Sequence, residues 1–196
     1  DALKESREKP LDLIWAEGVG ERWCVNVITG GLASSGAANG EEDSKDGLGV
    51  LAYWRRGVRA LAEDHPSYEL SLTLDDSEER TLRAQNMVLG NGRFVAGGIP
   101  VAPNARLDDG LLDLLVVPEL EMAEMGLLFP RLLLGKHPAH DAILARRIRR
   151  VSFRSHPELE LSMDGERGKA KAGEFQVAEG ALRVARIPDD ENGGNA

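Results

Sequence analysis

The sequence contains one cysteine, Cys24, in 196 residues. No intrachain disulfide can form, which excludes the disulfide-stapled scaffolds of small secreted proteins. With Trp23 and Val25 beside it and Val27 beyond, Cys24 reads as a buried strand residue rather than a reactive thiol. No apolar run approaches the roughly 20 residues needed to span a bilayer, and no signal peptide opens the chain. These absences predict a soluble, cytoplasmic protein, one still able to touch a membrane peripherally. Positive charge is in deficit too: 24 Lys and Arg against 33 Asp and Glu give a formal net charge of -9. A general nucleic-acid binder needs a basic face to neutralise phosphates, so nucleic acid is excluded as a partner. A local cluster such as Arg146-Arg147-Ile148-Arg149-Arg150 can still attract an anionic bilayer over about 10 Å.

Several site chemistries are missing as well. There is no Walker loop, and the glycine clusters lie among strands with no helix following. Ser34-Ser35 has no strand-turn-helix elbow around it and is not a hydrolase nucleophile. His137, His140 and His156 share no spacing with cysteines or carboxylates that would hold zinc. No internal repeat is evident.

What is present is mostly short strands. Residues 11–16 and 22–29 flank a turn at 18–21 and read as a hairpin; residues 68–74 alternate cleanly and turn at 75–77 into 80–89, a second hairpin. Residues 111–117 form an apolar run of strand length, and the last third reads as strands at 148–154, 158–163, 174–177 and 181–187 with Gly165, Gly173 and Gly180 at turns. Two segments have helical spacing, 48–63 and 119–134, the second with Gly135 as a C-cap. Residues 30–47 are small and polar and predict a mobile loop. Strands without alternating helices exclude a Rossmann sheet. The pattern predicts a mainly β, two-sheet β-sandwich with two or so peripheral α-helices. Residues 1–10 read as the end of a preceding helix or a linker, 11–188 as the sandwich, and the acidic, Gly/Asn-rich 189–196 as a disordered tail.

One stretch, residues 90–113, is too dense in turn chemistry to be a helix and predicts a looped surface. It starts Gly90-Asn91-Gly92 and ends Asp108-Asp109-Gly110-Leu111-Leu112-Asp113, a tight turn whose carboxylates and carbonyls can converge on a hard cation. About fifty residues on comes Met163-Asp164-Gly165-Glu166.

These segments, in this order, resemble the motifs of diacylglycerol kinase-like lipid kinases: a Gly-Asn-Gly run, a Pro-x-Ala-x-x-Asp-Asp-Gly-x-Leu-Asp run and a later Leu-Asp-Gly-Glu. Asn26 to Gly31 is similar to the family's Asn-x-x-Ser-Gly-Gly, and Lys45 before Leu48-Gly49 matches another position. The resemblance spans almost the whole chain and implies the second, mainly β domain of such a kinase. It implies a Mg²⁺ held by the Asp109 side chain and the main-chain carbonyls of Arg106 and Leu111, Glu166 as the base that deprotonates the lipid hydroxyl, Asp164 reaching the catalytic Mg²⁺ through water, and Lys45 near the phosphates of ATP. The implied partners are a lipid substrate and a membrane surface; a homodimer is left open. Folding is then expected to bring the corner at 166 and the doublet at 108 and 109 to one ledge.

The departures bear on this. Similar kinases bind ATP in an N-terminal α/β domain with a Gly-Gly-Asp-Gly-Thr loop, and this sequence has none. Thr29 stands for a serine and Leu32 for an aromatic, changes that could reshape the lipid cleft. The expectation is a lipid-facing domain that is inactive alone. Two other readings stay open: a non-catalytic β-rich module that binds a lipid or a protein partner, and an NAD kinase-like relative.

Overall fold

The computed structural model describes residues 7–31, 34, 67–75, 77–95 and 98–186. Among them run β1 (Arg7–Glu17), β2 (Arg22–Cys24), β3 (Val27–Gly31), β4 (Tyr68–Leu74), β5 (Arg80–Gly90), β6 (Phe94–Val95), β7 (Ile99–Pro100), β8 (Leu112–Pro118), α1 (Met122–Leu133), β9 (Leu144–Ile148), β10 (Arg150–Met163) and β11 (Glu166–Arg186). Hydrogen bonding is continuous through one nine-stranded antiparallel sheet in the order β2-β1-β11-β10-β3-β5-β8-β9, with β4 between β10 and β5. β6 and β7 make a separate two-stranded ribbon. The mainly β sandwich expected from the pattern is what forms, and its layers are joined through long strands rather than built as two independent sheets.

The alternation of side chains explains the layering. Ile28 of β3, Met87 and Leu89 of β5 and Leu112, Leu114 and Val116 of β8 face the main core with Phe153, Leu161 and Phe175. Their neighbours Val27, Val88 and Leu115 face the other way, into a second core closed by Ile99, Val101, Ala102, Ala105 and Leu128. β3, β5 and β8 are therefore buried on both faces, which is why residues 111–117 read as an unbroken apolar run. The second core also corrects one expectation. Much of 90–113 is not surface: Asn91, Ala102 and Ala105 are fully buried or nearly so, because this stretch is the lid of the second core.

Three further readings change. Residues 7–10 are strand, not the end of a helix, because they pair with Arg183 to Arg186 across the sheet. The segments read as 148–154 and 158–163 lie mostly in the single β10, which passes through Pro157 with a register shift, and 174–177 and, as far as Arg186, the segment read as 181–187 belong to the single β11. Gly173 and Gly180 are thus not loop turns. A Cβ on Gly173 would stand 2.6 Å from Val19 and 2.9 Å from Phe153, so the glycine lets β11 press against its neighbours where the Phe153 and Phe175 rings stack at 5.4 Å.

β3 and β4 lie end to end in one slot between β5 and β10, since Gly31 pairs with Asn86 and Tyr68 with Ala84. The intervening segment, with Lys45 and the helix expected at 48–63, lies outside the described residues apart from Ser34 and Ser67, as does the tail from 187. The second expected helix is α1. It opens on a capping box, the Glu124 carboxylate accepting the Glu121 N–H at 3.1 Å, and ends where Gly135 takes a φ of 65° just past Leu134, as expected.

After α1, His137 is 5% exposed with its Nε2 2.8 Å from the Val101 carbonyl oxygen. Burial pushes its pKa below the usual value, an effect the Val101 carbonyl offsets only in part. The folded protein therefore holds a neutral ring where the unfolded chain takes up a proton near pH 6.5. That contribution to stability is complete above pH 6.5 and is lost as pH falls through the depressed value. In melts from pH 8 to pH 5, wild type is expected to lose more melting temperature than His137→Gln; equal slopes would show that this ring carries no such linkage.

Candidate active site

The hairpin joining β10 to β11 is a two-residue connection. Met163 pairs with Glu166, and Asp164 and Gly165 take φ of 49° and 94°, the positive values that a twist-matched Asp-Gly turn requires. The turn is clamped from outside. Both Asp164 carboxylate oxygens accept backbone N–H groups: Oδ2 from Val25 at 2.5 Å, and Oδ1 from Asn26 and Val27 at 3.0 Å each. Glu166 follows at the rim. Its side chain is 77% exposed and ion-paired with Arg22 of β2.

Cys24 lies beneath these groups. Burial first, then the Asp164 charge, push its thiol up to about 12, with Arg22 pulling the other way and Glu166 adding to the rise. The thiol stays protonated, in line with a buried strand residue.

From Asp164 a chain of hydrogen bonds leads to the Asp108-Asp109-Gly110 turn. The Asn26 carbonyl accepts the N–H groups of Asn91 and Gly92 at 2.9 and 2.8 Å, and the Asn26 side chain donates to the Phe94 carbonyl at 2.9 Å. A Cβ on Gly92 would sit 2.0 Å from Asn26 Oδ1, so the glycine leaves the space this side chain uses to reach Phe94. The Asn91 amide donates to the carbonyls of Val25 at 2.7 Å and Asp12 at 2.8 Å. Asp12, 2% exposed, completes the path: its N–H donates to the Leu107 carbonyl at 2.7 Å, and its carboxylate accepts Gly110 N–H at 2.7 Å and Gly180 N–H at 2.8 Å.

Along this path lies a groove of about 570 Å³, lined by Lys9, Asn26, residues 92–94 and residues 105–108. Lys9 and Arg106 both pair with Asp108, at 2.8 and 3.6 Å. The Lys9 ammonium first, then Arg106, hold that carboxyl below the usual carboxylate range. Neither Glu166 nor Asp109 is among the groove-lining residues. Asn26 connects the groove to the Asp164 turn, and Asp108 connects it to the doublet.

Asp109 has other partners. One oxygen accepts the Leu111 N–H at 3.2 Å, and the other meets the Arg147 guanidinium of β9. Arg147 Nε also lies 3.8 Å from Asp113 Oδ2, a buried oxygen with no hydrogen-bond partner among the described residues. Burial raises the Asp113 pKa, Arg147 opposing it and Asp109 adding to it. Two carboxylates thus share one guanidinium, Asp109 by contact and Asp113 at longer range. No group of three or more His, Cys, Asp or Glu side chains that could hold a metal ion occurs among the described residues. A cation here needs main-chain oxygens as well, and the Arg106 and Leu111 carbonyls flank the turn in sequence.

Sequence reasoning singled out Asp164, Glu166 and Asp109 and missed Asp12, Arg22, Asp113 and Arg147. For Asp12 a signal existed, its strand phase two and four residues ahead of the apolar Ile14 and Ala16.

A family profile described as the YegS C-terminal NAD kinase beta sandwich-like domain matches residues 27–186. The chain belongs to this family. Relatives with the printed name "Probable lipid kinase YegS-like" include one from Pseudomonas aeruginosa (strain UCBPP-PA14), 32% identical over 183 residues, covering 93% of the chain and 58% of the relative. One from Xanthomonas oryzae pv. oryzae (strain MAFF 311018) is 32% identical over 190 residues, covering 96% and 60%. Among solved structures, a "putative diacylglycerol kinase" from Bacillus anthracis str. Sterne superposes with a TM-score of 0.70 at 25% identity, covering 94% of the chain and 58% of that protein. The chain spans about 58% of the length of such relatives and corresponds to the C-terminal domain of the YegS-like lipid kinase family. Within this YegS-type domain, Trp23, Val25 and Phe94 are exposed by 54%, 44% and 51% around the Asp164 turn and the groove.

Proposed function

We propose that this chain is the lipid-facing domain of an ATP-dependent kinase that phosphorylates a hydroxyl of diacylglycerol or a related lipid. The observation that carries the reading is the clamped Asp164-Gly165 turn, which fixes Glu166 at the exposed rim of a YegS-type domain. Exposed Trp23, Val25 and Phe94 at the same end support it, since apolar surface of this kind marks a face that another domain or an apolar substrate covers.

In the reaction the lipid hydroxyl oxygen bonds to the γ-phosphorus of ATP while the bond from that phosphorus to the ADP oxygen breaks. Glu166 takes the hydroxyl proton. A carboxylate is a weak base beside an alkoxide, so it serves by accepting the proton late in a loose transition state. Arg22 holds the Glu166 side chain in place. Asp164 keeps the turn rigid; of the roughly four lone-pair sites a carboxylate offers, three are taken by backbone N–H groups, leaving one for a water of the metal network. Lys45 is assigned to the ATP phosphates. Mg²⁺ at the doublet would be held by Asp109 and the Arg106 and Leu111 carbonyls, with the bare Asp113 oxygen nearby, and would supply charge that fixes the turn. The nucleotide belongs mainly to an N-terminal domain.

Two measurements test this. The full-length protein with ATP and Mg²⁺ should phosphorylate diacylglycerol in mixed micelles, whereas the 196-residue chain alone should not. Phosphorylation of NAD instead of lipid would overturn the assignment, and turnover by the isolated chain would overturn the division of labour. At a hundredfold excess over its Kd, Mg²⁺ should stabilise the protein by about 2.7 kcal/mol, roughly 5–10 °C for a chain of this size. Asp109→Asn should abolish that rise; a rise of the same size in the variant would remove Asp109 from the metal site.

A further inference from the structure

Among the residues that line the groove, Lys9, Arg93 and Arg106 are cationic and only Asp108 is anionic, on a chain whose formal net charge is -9. The three cations converge on one segment. Arg93 Nε donates to the Ala105 carbonyl at 2.8 Å, which ties this guanidinium to the residue before Arg106. Arg106 and, from β1, Lys9 meet the Asp108 carboxylate at 3.6 and 2.8 Å, one on each oxygen. Of the N–H groups that a guanidinium offers, only the one on Nε has a partner at Arg93 among the described residues.

Neighbouring carboxylates do not make up the difference. Asp109 is engaged by Arg147, Glu8 by Arg183, and Asp12 by the Gly110 and Gly180 amides. Like charges gathered in this way repel, and one carboxylate offsets only part of the repulsion. The residents also define which anion fits. Guanidinium forks match the oxygens of a phosphate, which at neutral pH carries a charge of about -1.5 to -2. Asp108 is an acceptor only. It accepts the P–O–H hydrogen bond of a hydrogen phosphate, whereas sulfate, with no proton at neutral pH, sets an oxygen against it.

We infer that the groove is a binding site for a hydrogen phosphate group, held by Lys9, Arg93 and Arg106 and selected over sulfate by the Asp108 carboxylate. Inorganic phosphate and the singly protonated end of a phosphate monoester offer the same chemistry. The site does not rest on the lipid-kinase reading, since neither Glu166 nor Asp164 takes part in it.

Isothermal titration calorimetry of the full-length protein, in EDTA and at fixed ionic strength near pH 7, tests this with sodium phosphate, sodium sulfate and glycerol 3-phosphate. Wild type should bind phosphate roughly tenfold or more tightly than sulfate. Lys9→Gln/Arg93→Gln should weaken phosphate binding by roughly tenfold or more with the melting temperature held, because ion pairs this exposed add little to stability. Any phosphate site in an N-terminal domain is untouched by these changes, so the difference from wild type reports the groove. Asp108→Asn should tighten sulfate binding and bring the two anions within about threefold of each other, a gain that no loss of fold can imitate. Equal affinity for the two anions in wild type overturns the inference. So does unchanged phosphate binding in the double variant, or the absence of any gain for sulfate in Asp108→Asn. With those results in place, tighter binding of glycerol 3-phosphate than of inorganic phosphate assigns the site to a monoester, and the reverse order assigns it to the free ion.

Discussion

Replacing Asp12 by alanine should lower the melting temperature by roughly 8–16 °C, an effect expected from no sequence motif. Asp12 is 2% exposed, and its two carboxylate oxygens accept Gly110 N–H at 2.7 Å and Gly180 N–H at 2.8 Å. Hydrogen bonds to a charged acceptor contribute about 1.5–3 kcal/mol each, and the loss also leaves two donors buried without partners. The sum is about 4 kcal/mol, and a chain of this size loses roughly 2–4 °C per kcal/mol. Asp12→Asn should cost about half as much, because one carboxamide oxygen remains while the NH₂ faces an N–H it cannot accept from. Thermal unfolding followed by circular dichroism measures both. A drop below about 2 °C for alanine would mean that the Gly110 and Gly180 amides find water instead.

The same substitution has a second consequence. Asp12 ties β1 at once to the Asp108-Asp109-Gly110 turn and to β11, and its carbonyl receives the Asn91 amide that also binds Val25. Alanine removes the carboxylate's hold on the doublet turn and on β11, while the tie toward the Asp164 turn, through the Asp12 main-chain carbonyl and the Asn91 amide, stays. Stability and the geometry of the doublet are therefore coupled at this residue.

How much of this was legible depends on whether the cause was local. The hairpin of β4 and β5 was readable because Tyr68 to Leu74 alternate and the polar 75–77 stretch turns the chain. The turn at 164–165 placed Glu166 at an exposed rim for the same local reason. β10 and β11 were read as broken because Pro157, Gly173 and Gly180 usually end strands. Their continuity depends on β1, β3 and β4 packing alongside, which no window of sequence contains. Arg7 to Pro10 were misread likewise, since polar residues become strand when a remote partner, Arg183 to Arg186, supplies the other half of the ladder. The burial of 90–113 escaped notice because turn residues are ordinarily wet, and here the turns lie over the outer face of β3, β5 and β8. In the site the sequence named Asp164, Glu166 and Asp109 by their motifs, while Arg22 and Arg147, which pair with Glu166 and Asp109, carry no spacing signature and are partners only in three dimensions.

In the full-length protein, Glu166→Gln should reduce kcat for lipid phosphorylation by about 10²–10⁴, the usual contribution of a positioned general base, with KM for lipid and ATP little changed. Glutamine keeps the size of the side chain and a hydrogen-bonding oxygen for Arg22 but cannot take the hydroxyl proton. The fold should not notice. Glu166 is 77% exposed on its side chain, its ion pair with Arg22 is of the solvent-facing kind, and the clamp on the turn belongs to Asp164. Activity and stability therefore separate at this position, whereas at Asp12 stability falls together with the geometry of the doublet. Arg22→Gln offers the intermediate case: the base remains but its carboxylate is free to wander, so kcat should fall less than for Glu166→Gln and the melting temperature should hold. Single-turnover kinetics with saturating ATP and micellar lipid distinguish the outcomes. If Glu166→Gln retained more than about a third of the wild-type rate, the proton would have to leave by water or through the nucleotide domain, and the rim carboxylate would be reduced to a partner of Arg22.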